Sequence, residues 1–225
     1  MKRETYLAME AYMRSCMDDS AHDCEHVYRV LYNALAIAKA DDGIDYDILI
    51  AACLLHDIGR KEQIADPTLC HAAVGAEKAY AFLRELGMNA SFAEAVKHCI
   101  ATHRFRKNLQ PQTLEAKILF DADKLDVTGA IGIARTLLYK GTVTEPLYTL
   151  LPDGSISDGT GDDTPSFLRE YKFKLEKLYD RFYTEKGAEL AQTRRSIAAS
   201  FYESIFKEVN EGYTSGREAL ESLIQ

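Results

Sequence analysis

The sequence predicts an all-α fold, and two observations carry that prediction. Apolar residues recur at three- and four-residue spacing along most of the chain, which is the period of a helix with one buried face. No stretch alternates apolar and polar residues with the period of two that is typical of a strand. With 225 residues, 47% of them hydrophobic and 28% charged, the chain is long enough to bury a sizeable core.

The apolar stripes and the capping residues place the helices in order. A first amphipathic helix is predicted from Thr5 to Met17, and Asp23 is suited to cap a second helix that ends near residues 41–43. A third begins near Tyr46 and is apolar on all sides. Later helices are predicted from about Leu69 to Leu86, from Asn89 or Ser91 to about Ile100, from Thr113 to about Leu125, and through Gly129–Ala134.

The segment 141–165 interrupts this pattern. It holds three of the five prolines and four glycines, so a long loop or lid is expected there, because loops of this length are functional or mobile. Two apolar stripes follow, from Leu168 to Phe182 and from Leu190 to Val209. They predict two long helices that pack on the N-terminal part or on a second copy, as in a homodimer.

The composition excludes several classes of partner. A net charge of −8 argues against a nucleic-acid backbone or an anionic membrane as the main partner. No apolar run reaches the roughly 18 residues of a membrane span, so a cytoplasmic location is expected. The five cysteines are an odd number without a CxxC pair, which indicates reduced core side chains. Because the net charge is negative, a phosphate-bearing ligand must be held by a metal or by a local group of cations.

The third predicted helix ends in the neighbouring ionisable residues His56 and Asp57, within the run Leu54–Lys61. A carboxylate at the end of a core segment is costly unless it is paired, hydrogen-bonded or bound to a metal. Taken alone, the doublet is better explained as a His-Asp pair exposed to water at a helix end. Two more residues of the same chemical kind, elsewhere in the chain, change this assessment.

Those residues are His26 and Asp123, and each lies on or beside an apolar helix face. His26 precedes Val30 by four residues, and Asp123 follows Leu119 by four. Together with His56 and Asp57, they can converge on one cation. Mixed imidazole and carboxylate ligands suit a divalent transition metal better than Ca²⁺.

This ordered set resembles the H…HD…D signature of the HD-domain metal-dependent phosphohydrolases. The similarity extends to the neighbouring stretches 21–30, 71–76, 100–103 and 121–135, and spans about residues 20 to 210. The chain looks most like the small single-domain bacterial branch, which includes nucleoside triphosphate pyrophosphohydrolases.

The resemblance implies an all-α HD helical bundle over residues 1–225, with a metal-site core at 20–140, the loop or lid at 141–165 and extra C-terminal helices at 166–225. It assigns the metal to His26, His56, Asp57 and Asp123, with Asp57 also a candidate base. The ion would be Mn, Co, Ni, Fe or Mg. Metal-activated water would then hydrolyse a phosphoanhydride or phosphoester bond of a small phosphorylated substrate, expected to be a nucleotide.

The resemblance leaves a second metal open. Some branches bind two ions through extra histidines, for which His71, His98 and His103 are the candidates here. His98 and His103 are five residues apart and cannot share a helix face well, which favours His103. Other branches place a Glu three residues after the doublet, where this chain has Arg60, so a carboxylate base is in doubt there. The positive charges of Arg60 and Lys61 favour a single ion.

Three cations neighbour the predicted ligands in sequence and are candidate phosphate contacts: Arg29, Lys61 and Lys124. Ordinary salt bridges explain them about as well, with Asp23 as partner of Arg29 and Asp121 or Asp126 as partner of Lys124. His103 is a candidate for phosphate contact or proton relay. His22 is either near the site or simply exposed.

Two alternatives to a nucleotide hydrolase remain. One is a phosphomonoesterase or phosphodiesterase of the same fold. The other is a non-catalytic nucleotide- or metal-sensing module whose partner surface is formed by the C-terminal helices. The complete ligand set favours an enzyme, because a sensor needs no open metal position.

Overall fold

The computed structural model describes residues 1–17, 24–104 and 109–224. These ranges are helical and contain no strand, only an isolated antiparallel bridge between Leu150 and Ile156. The all-α prediction is confirmed. The predicted cap Asp23 and His22 lie outside the described residues. The helices are α1 (Arg3–Cys16), α2 (Cys24–Ala38), α3 (Tyr46–Leu55), α4 (Arg60–Ala65), α5 (His71–Glu85), α6 (Ala90–Thr102), α7 (Leu114–Leu125), α8 (Gly129–Thr142), α9 (Phe167–Phe173), a 3₁₀ helix (Leu175–Asp180) and α10 (Glu185–Leu223).

Side-chain caps explain where several helices begin. The Asn89 carboxamide accepts a hydrogen bond from the backbone N–H of Phe92 at 2.8 Å, which starts α6. The Thr113 hydroxyl accepts from the N–H of Ala116 at 3.2 Å and starts α7. Of the two caps offered for α6, the structure uses Asn89, and Thr113 is confirmed.

Residues 1–126 and 182–188 form one compact unit. At its centre lies α3, whose residues from 51 to 55 are all fully buried, in contact with α1, α2, α6 and α7. Burying a leucine side chain such as Leu54 or Leu55 stabilises the fold by about 1.5–3 kcal/mol. The apolar end of α3 therefore fixes the position of the two ionisable residues that follow it.

Within this unit, Asp121 of α7 holds the segment 182–188. Its carboxylate accepts hydrogen bonds from the backbone N–H of Thr184 and from the Thr184 hydroxyl, both at 2.7 Å, and from the N–H of Tyr183 at 2.9 Å. Burial raises the pKa of Asp121 above its ordinary value, although these hydrogen bonds oppose the shift. Asp121 is thus a structural anchor, and not the partner of Lys124 that the sequence allowed.

Residues 127–181 and 189–225 form a second compact unit. The prediction of the first long helix is wrong, because α9 ends before Lys174 and a 3₁₀ helix follows it. Leu175 and Leu178 are buried at a spacing of three, which a 3₁₀ helix satisfies as well as an α-helix does. The second long helix is confirmed as α10, with 39 residues.

The loop predicted at 141–165 is present between α8 and α9. The backbone N–H groups of Phe167 and Leu168 donate to the carbonyls of Pro146 and Leu147, at 3.0 and 3.1 Å, which ties the two ends of the loop together. Its role as a lid, the single-domain organisation and a homodimer stay predictions. No described helix has the length and apolarity that crossing a membrane requires.

Candidate metal centre

The predicted ligands reach one place from three helices of the first unit. His26 lies on α2, His56 and Asp57 follow the end of α3, and Asp123 lies on α7. The side chains of His26, His56 and Asp57 are at most 1% exposed, and that of Asp123 is 16% exposed. The structure therefore brings together the residues that the sequence singled out.

Gly59, two residues after the doublet, allows the chain to approach the backbone of α5 closely. A Cβ atom at this position would lie 2.3 Å from the carbonyl oxygen of His71 and 2.6 Å from the backbone nitrogen of Gly75. Both are backbone atoms of α5 and cannot move aside. The close approach brings the start of α5, and with it His71, next to Asp57.

Four imidazole rings are held by their Nδ1 atoms. Each Nδ1 faces a carbonyl or carboxylate oxygen, which can only accept a hydrogen bond, so the proton is assigned to Nδ1 and Nε2 keeps its lone pair. The pairs are His26 with Asp126 Oδ2 (2.7 Å), His56 with Cys53 O (2.8 Å), His71 with Gln63 Oε1 (2.5 Å) and His103 with Ile100 O (2.6 Å). All four rings thus offer the nitrogen that a metal would bind.

The first group of metal-ligating atoms lies on the Oδ2 side of Asp57. His26 Nε2 is 3.6 Å from Asp57 Oδ2, 3.5 Å from Asp123 Oδ1 and 3.4 Å from His56 Nε2. His56 Nε2 lies 3.7 Å from the same Asp57 oxygen. Ligand atoms about 2.1 Å from one ion are about 3.0–3.5 Å apart, close to these separations.

The second group lies on the Oδ1 side of Asp57. His71 Nε2 is 3.4 Å and His103 Nε2 is 3.7 Å from Oδ1, and the guanidinium Nε of Arg60 is 2.9 Å from it. His98 belongs to neither group of potential metal ligands found in residues 1–17, 24–104 and 109–224. The structure thus brings His71 and His103 to Asp57 and leaves His98 apart.

Buried atoms at Asp57 provide a test of whether these residues fit a metal. Both carboxylate oxygens of Asp57, and Nε2 of His71, are buried without a hydrogen-bond partner. The N–H of Arg60 is not aligned with Oδ1, so that contact is an ion pair and not a hydrogen bond. An ionised carboxylate in such a place costs several kcal/mol unless a cation compensates it. The residues therefore fit a divalent ion.

The charge states of these residues also suit a metal. Burial lowers the pKa of His56, lowers that of His71 to about 2 and lowers that of His103 to about 4. These three rings are therefore neutral at pH 7. Burial alone would raise the pKa of Asp57, but His56 and Arg60 outweigh it and hold that pKa well below its ordinary range. For Asp123, Lys124 likewise outweighs burial and lowers the pKa. Neutral imidazoles and ionised carboxylates are the forms that bind metals.

The predicted phosphate cations Arg29 and Lys124 pair with carboxylates. Arg29 donates to both oxygens of Asp126, with Nε 2.7 Å from Oδ1 and Nη2 3.1 Å from Oδ2. Lys124 Nζ donates to Asp123 Oδ2 at 3.1 Å, and Lys61 is exposed. The salt-bridge alternative therefore holds for Lys124, with Asp123 as partner, and for Arg29, which pairs with Asp126, while Asp23 lies outside the described residues.

Sequence reasoning missed two residues that orient the rings. The sequence suggests Asp126 only as a partner of Lys124, but Asp126 holds His26 and Arg29. Gln63 donates its amide N–H to the carbonyl of Leu69 at 3.1 Å, which turns its oxygen toward His71. No local pattern marks Gln63, because its partners come from the turn between α4 and α5.

Known proteins of similar sequence and structure include members of the HD family. The family model described as HD domain matches residues 24–128. A crystal structure of an HD-superfamily hydrolase from Bacillus thuringiensis is 31% identical, with a TM-score of 0.68, covering 93% of this chain and 99% of that chain. The structure of Bacillus subtilis YpgQ in complex with ADP is 27% identical, with a TM-score of 0.70, covering 91% and 97%.

A third relative is more distant. The 3'-5' exoribonuclease YhaM of Bacillus velezensis is 29% identical over 141 residues, which cover 56% of this chain and 45% of that protein. The HD-domain match contains every residue of the two groups around Asp57. On the strength of the family match and of a solved structure 31% identical over nearly its whole length, this chain belongs to the HD superfamily.

Proposed function

We propose that this protein is a metal-dependent phosphohydrolase that cleaves a phosphoanhydride or phosphoester bond of a nucleotide. One observation carries the proposal: the Asp57 carboxylate is buried without a hydrogen bond among the Nε2 atoms of four imidazoles. Arg60 pairs with Oδ1, whereas Oδ2 faces the Nε2 atoms of His26 and His56, and ligands of this mixed type suit a divalent transition metal. The HD-superfamily hydrolases of similar fold support the same reading.

The ligands in this proposal are His26, His56, Asp57 and Asp123. A bound divalent ion supplies an activated water and neutralises charge on the phosphoryl oxygens. The ligand residues keep their geometry through contacts within the chain: Asp126 orients His26, and Lys124 pairs with Asp123. Because these partners are in place before substrate arrives, the site is preorganised.

The other side of Asp57 has two hydrogen-bond acceptors and a fixed positive charge. His71 and His103 are neutral and keep a lone pair on Nε2, so either ring can accept a hydrogen bond there from a water or a substrate hydroxyl. Arg60 adds a fixed positive charge that stabilises negative charge on a transferred phosphoryl group. Direct phosphate contact by Arg29, Lys61 or Lys124 stays a prediction.

The similarity to YpgQ, whose structure contains ADP, supports a nucleotide as the substrate class. The similarity to an exoribonuclease favours a second candidate, hydrolysis of a phosphodiester. The base, the sugar and the bond that is cleaved remain to be found by assay, because a fold does not determine a substrate.

The experiment is an activity panel with metal-stripped protein. Nucleoside tri-, di- and monophosphates, simple phosphomonoesters and phosphodiesters are each incubated with Mn²⁺, Co²⁺, Ni²⁺, Fe²⁺ or Mg²⁺, and phosphate, pyrophosphate and nucleoside products are measured. We expect metal-dependent release of phosphate or pyrophosphate from at least one nucleotide. Preferential cleavage of a phosphodiester would favour the second candidate.

Asp57→Asn provides the matched test of the site. The amide is nearly the same size but cannot supply the negative charge, so hydrolysis and metal binding should both be lost while helical content is retained by circular dichroism. Asp42→Asn, in the exposed turn before α3, is the control and should behave as wild type. Wild-type activity in Asp57→Asn would refute the proposal, and tight nucleotide binding without any hydrolysis would point to the sensing module.

A further inference from the structure

The Asp57 carboxylate separates two groups of potential metal ligands, and the two groups differ in one respect. On the Oδ2 side, His26 and His56 are joined by a second carboxylate, Asp123. On the Oδ1 side, His71 and His103 have only the shared Asp57. Two imidazoles and a bridging carboxylate could hold a second ion, because ions in two-metal sites lie about 3.5–4 Å apart.

Arg60 occupies this second side. Its Nε lies 2.9 Å from Oδ1, nearer than either imidazole nitrogen, and its side chain is 24% exposed. The main chain of Arg60 is held beside Asp57, since the N–H of Arg60 donates to the carbonyl of Asp57 at 3.0 Å. The tight packing of Gly59 against the backbone of α5 prevents the start of α4 from moving away.

The charges around Asp57 show what Arg60 does there. The carboxylates of Asp57 and Asp123 are matched by the cations of Arg60 and Lys124, while Asp126 and Arg29 neutralise each other. One divalent ion therefore leaves a net charge of two positive units, and a second would leave four. Like charges this close repel strongly in a buried site, and Arg60 is the nearest cation to the second position.

We propose that Arg60 is a built-in cation that takes the place of a second metal ion and keeps the centre mononuclear. This inference rests on the proposed function, because it assumes that the first group binds a divalent ion. His71 and His103 are then left free of metal, with their Nε2 atoms able to accept a hydrogen bond from a water or a substrate hydroxyl.

The test counts metal ions. Stripped wild-type protein and the variant Arg60→Gln are titrated with Mn²⁺ by calorimetry, the bound metal is measured after desalting, and electron paramagnetic resonance detects coupling between two Mn²⁺ ions. We expect one equivalent in wild type. In Arg60→Gln we expect two equivalents with a coupled signal, and an affinity for the second ion at least about tenfold higher than in wild type, since the repelling charge is gone.

Three further variants separate the role of Arg60 from a general loss of charge. Arg60→Lys keeps the cation and should bind one equivalent, as should Lys61→Ala, which removes an exposed positive charge at the next residue. Arg60→Gln combined with His71→Ala should return to one equivalent. Arg60→Met replaces Arg60→Gln if circular dichroism shows that the glutamine variant does not fold.

Two equivalents in wild type, or one equivalent in folded Arg60→Gln and Arg60→Met, would overturn the inference and leave the proposed function intact. Failure of wild type to bind any of Mn²⁺, Co²⁺, Ni²⁺, Fe²⁺ and Mg²⁺ would overturn both.

Discussion

Replacing Asp126 by alanine removes the carboxylate that orients His26 and pairs with Arg29. Asp126 Oδ2 lies 2.7 Å from His26 Nδ1, and both Asp126 oxygens accept hydrogen bonds from the Arg29 guanidinium. The side chains of His26 and Asp126 are 1% and 2% exposed, whereas that of Arg29 is 35% exposed. Removing the Asp126 carboxylate therefore affects mainly the buried imidazole of His26, which loses a hydrogen-bond acceptor.

Two effects determine the magnitude for Asp126→Ala. A buried Nδ1–H left without an acceptor costs about 1–3 kcal/mol of folding free energy. The lost ion pair adds little to this figure, because the exposed part of Arg29 can be solvated. A metal-bound imidazole without its orienting carboxylate loses about 10- to 100-fold in metal affinity, which corresponds to about 1.4–2.8 kcal/mol.

Two measurements check this prediction. Urea denaturation of the metal-free protein gives the change in folding free energy, and calorimetric titration with Mn²⁺ gives the change in affinity. Asp126→Asn, which keeps an acceptor oxygen, should lie between wild type and Asp126→Ala in both, while Asp42→Ala in an exposed turn should change neither. An Mn²⁺ affinity of Asp126→Ala within a factor of two of wild type would show that His26 does not depend on this carboxylate.

Three other perturbations follow from the packing and the charges. Gly59→Ala should destabilise the fold by about 1–3 kcal/mol in urea denaturation, because its Cβ would lie 2.3 Å from a backbone oxygen of α5. Gly141→Ala, in open space on α8, should instead stabilise by about 0.5–1 kcal/mol, and the opposite order would contradict the steric reasoning. Gln63→Ala should lower kcat/KM about tenfold, since His71 loses its orienting acceptor, with metal content measured alongside and expected to be unchanged. Burial would raise the pKa of Glu170, but its partners Lys174 and Lys140 lower that pKa overall. The ionised carboxylate therefore stabilises the fold at pH values above the ordinary pKa of a glutamate, and this stabilisation is lost as the pH falls. Glu170→Gln should therefore flatten the fall in Tm between about pH 6 and pH 3, and an unchanged slope would count against this.

The helices were largely predictable because the forces that define them are local. Backbone hydrogen bonds in an α-helix join residues four apart, and caps such as Asn89 and Thr113 act within three residues. The apolar stripes predicted which segments are helical. They could not distinguish an α-helix from a 3₁₀ helix after Lys174, because buried residues spaced three apart satisfy both.

The candidate ligands were predictable for a different reason. An ionisable doublet at the end of an all-apolar segment, with His26 and Asp123 on apolar faces, is a local contradiction that a metal resolves. The order of these four residues along the chain then resembles the signature of the HD family. The metal assignment itself stays a prediction until metal binding is measured.

What the sequence by itself determined is the helical fold, the family and the side chains that meet around Asp57. Only the tertiary structure decided which further groups act on them: His71 and His103, but not His98, face Asp57, and Arg60 takes its Oδ1 side. Asp126 reaches His26 across 100 residues of sequence. Such contacts depend on how whole helices pack, and no periodicity or spacing along the chain encodes which distant side chains that packing brings within hydrogen-bonding distance.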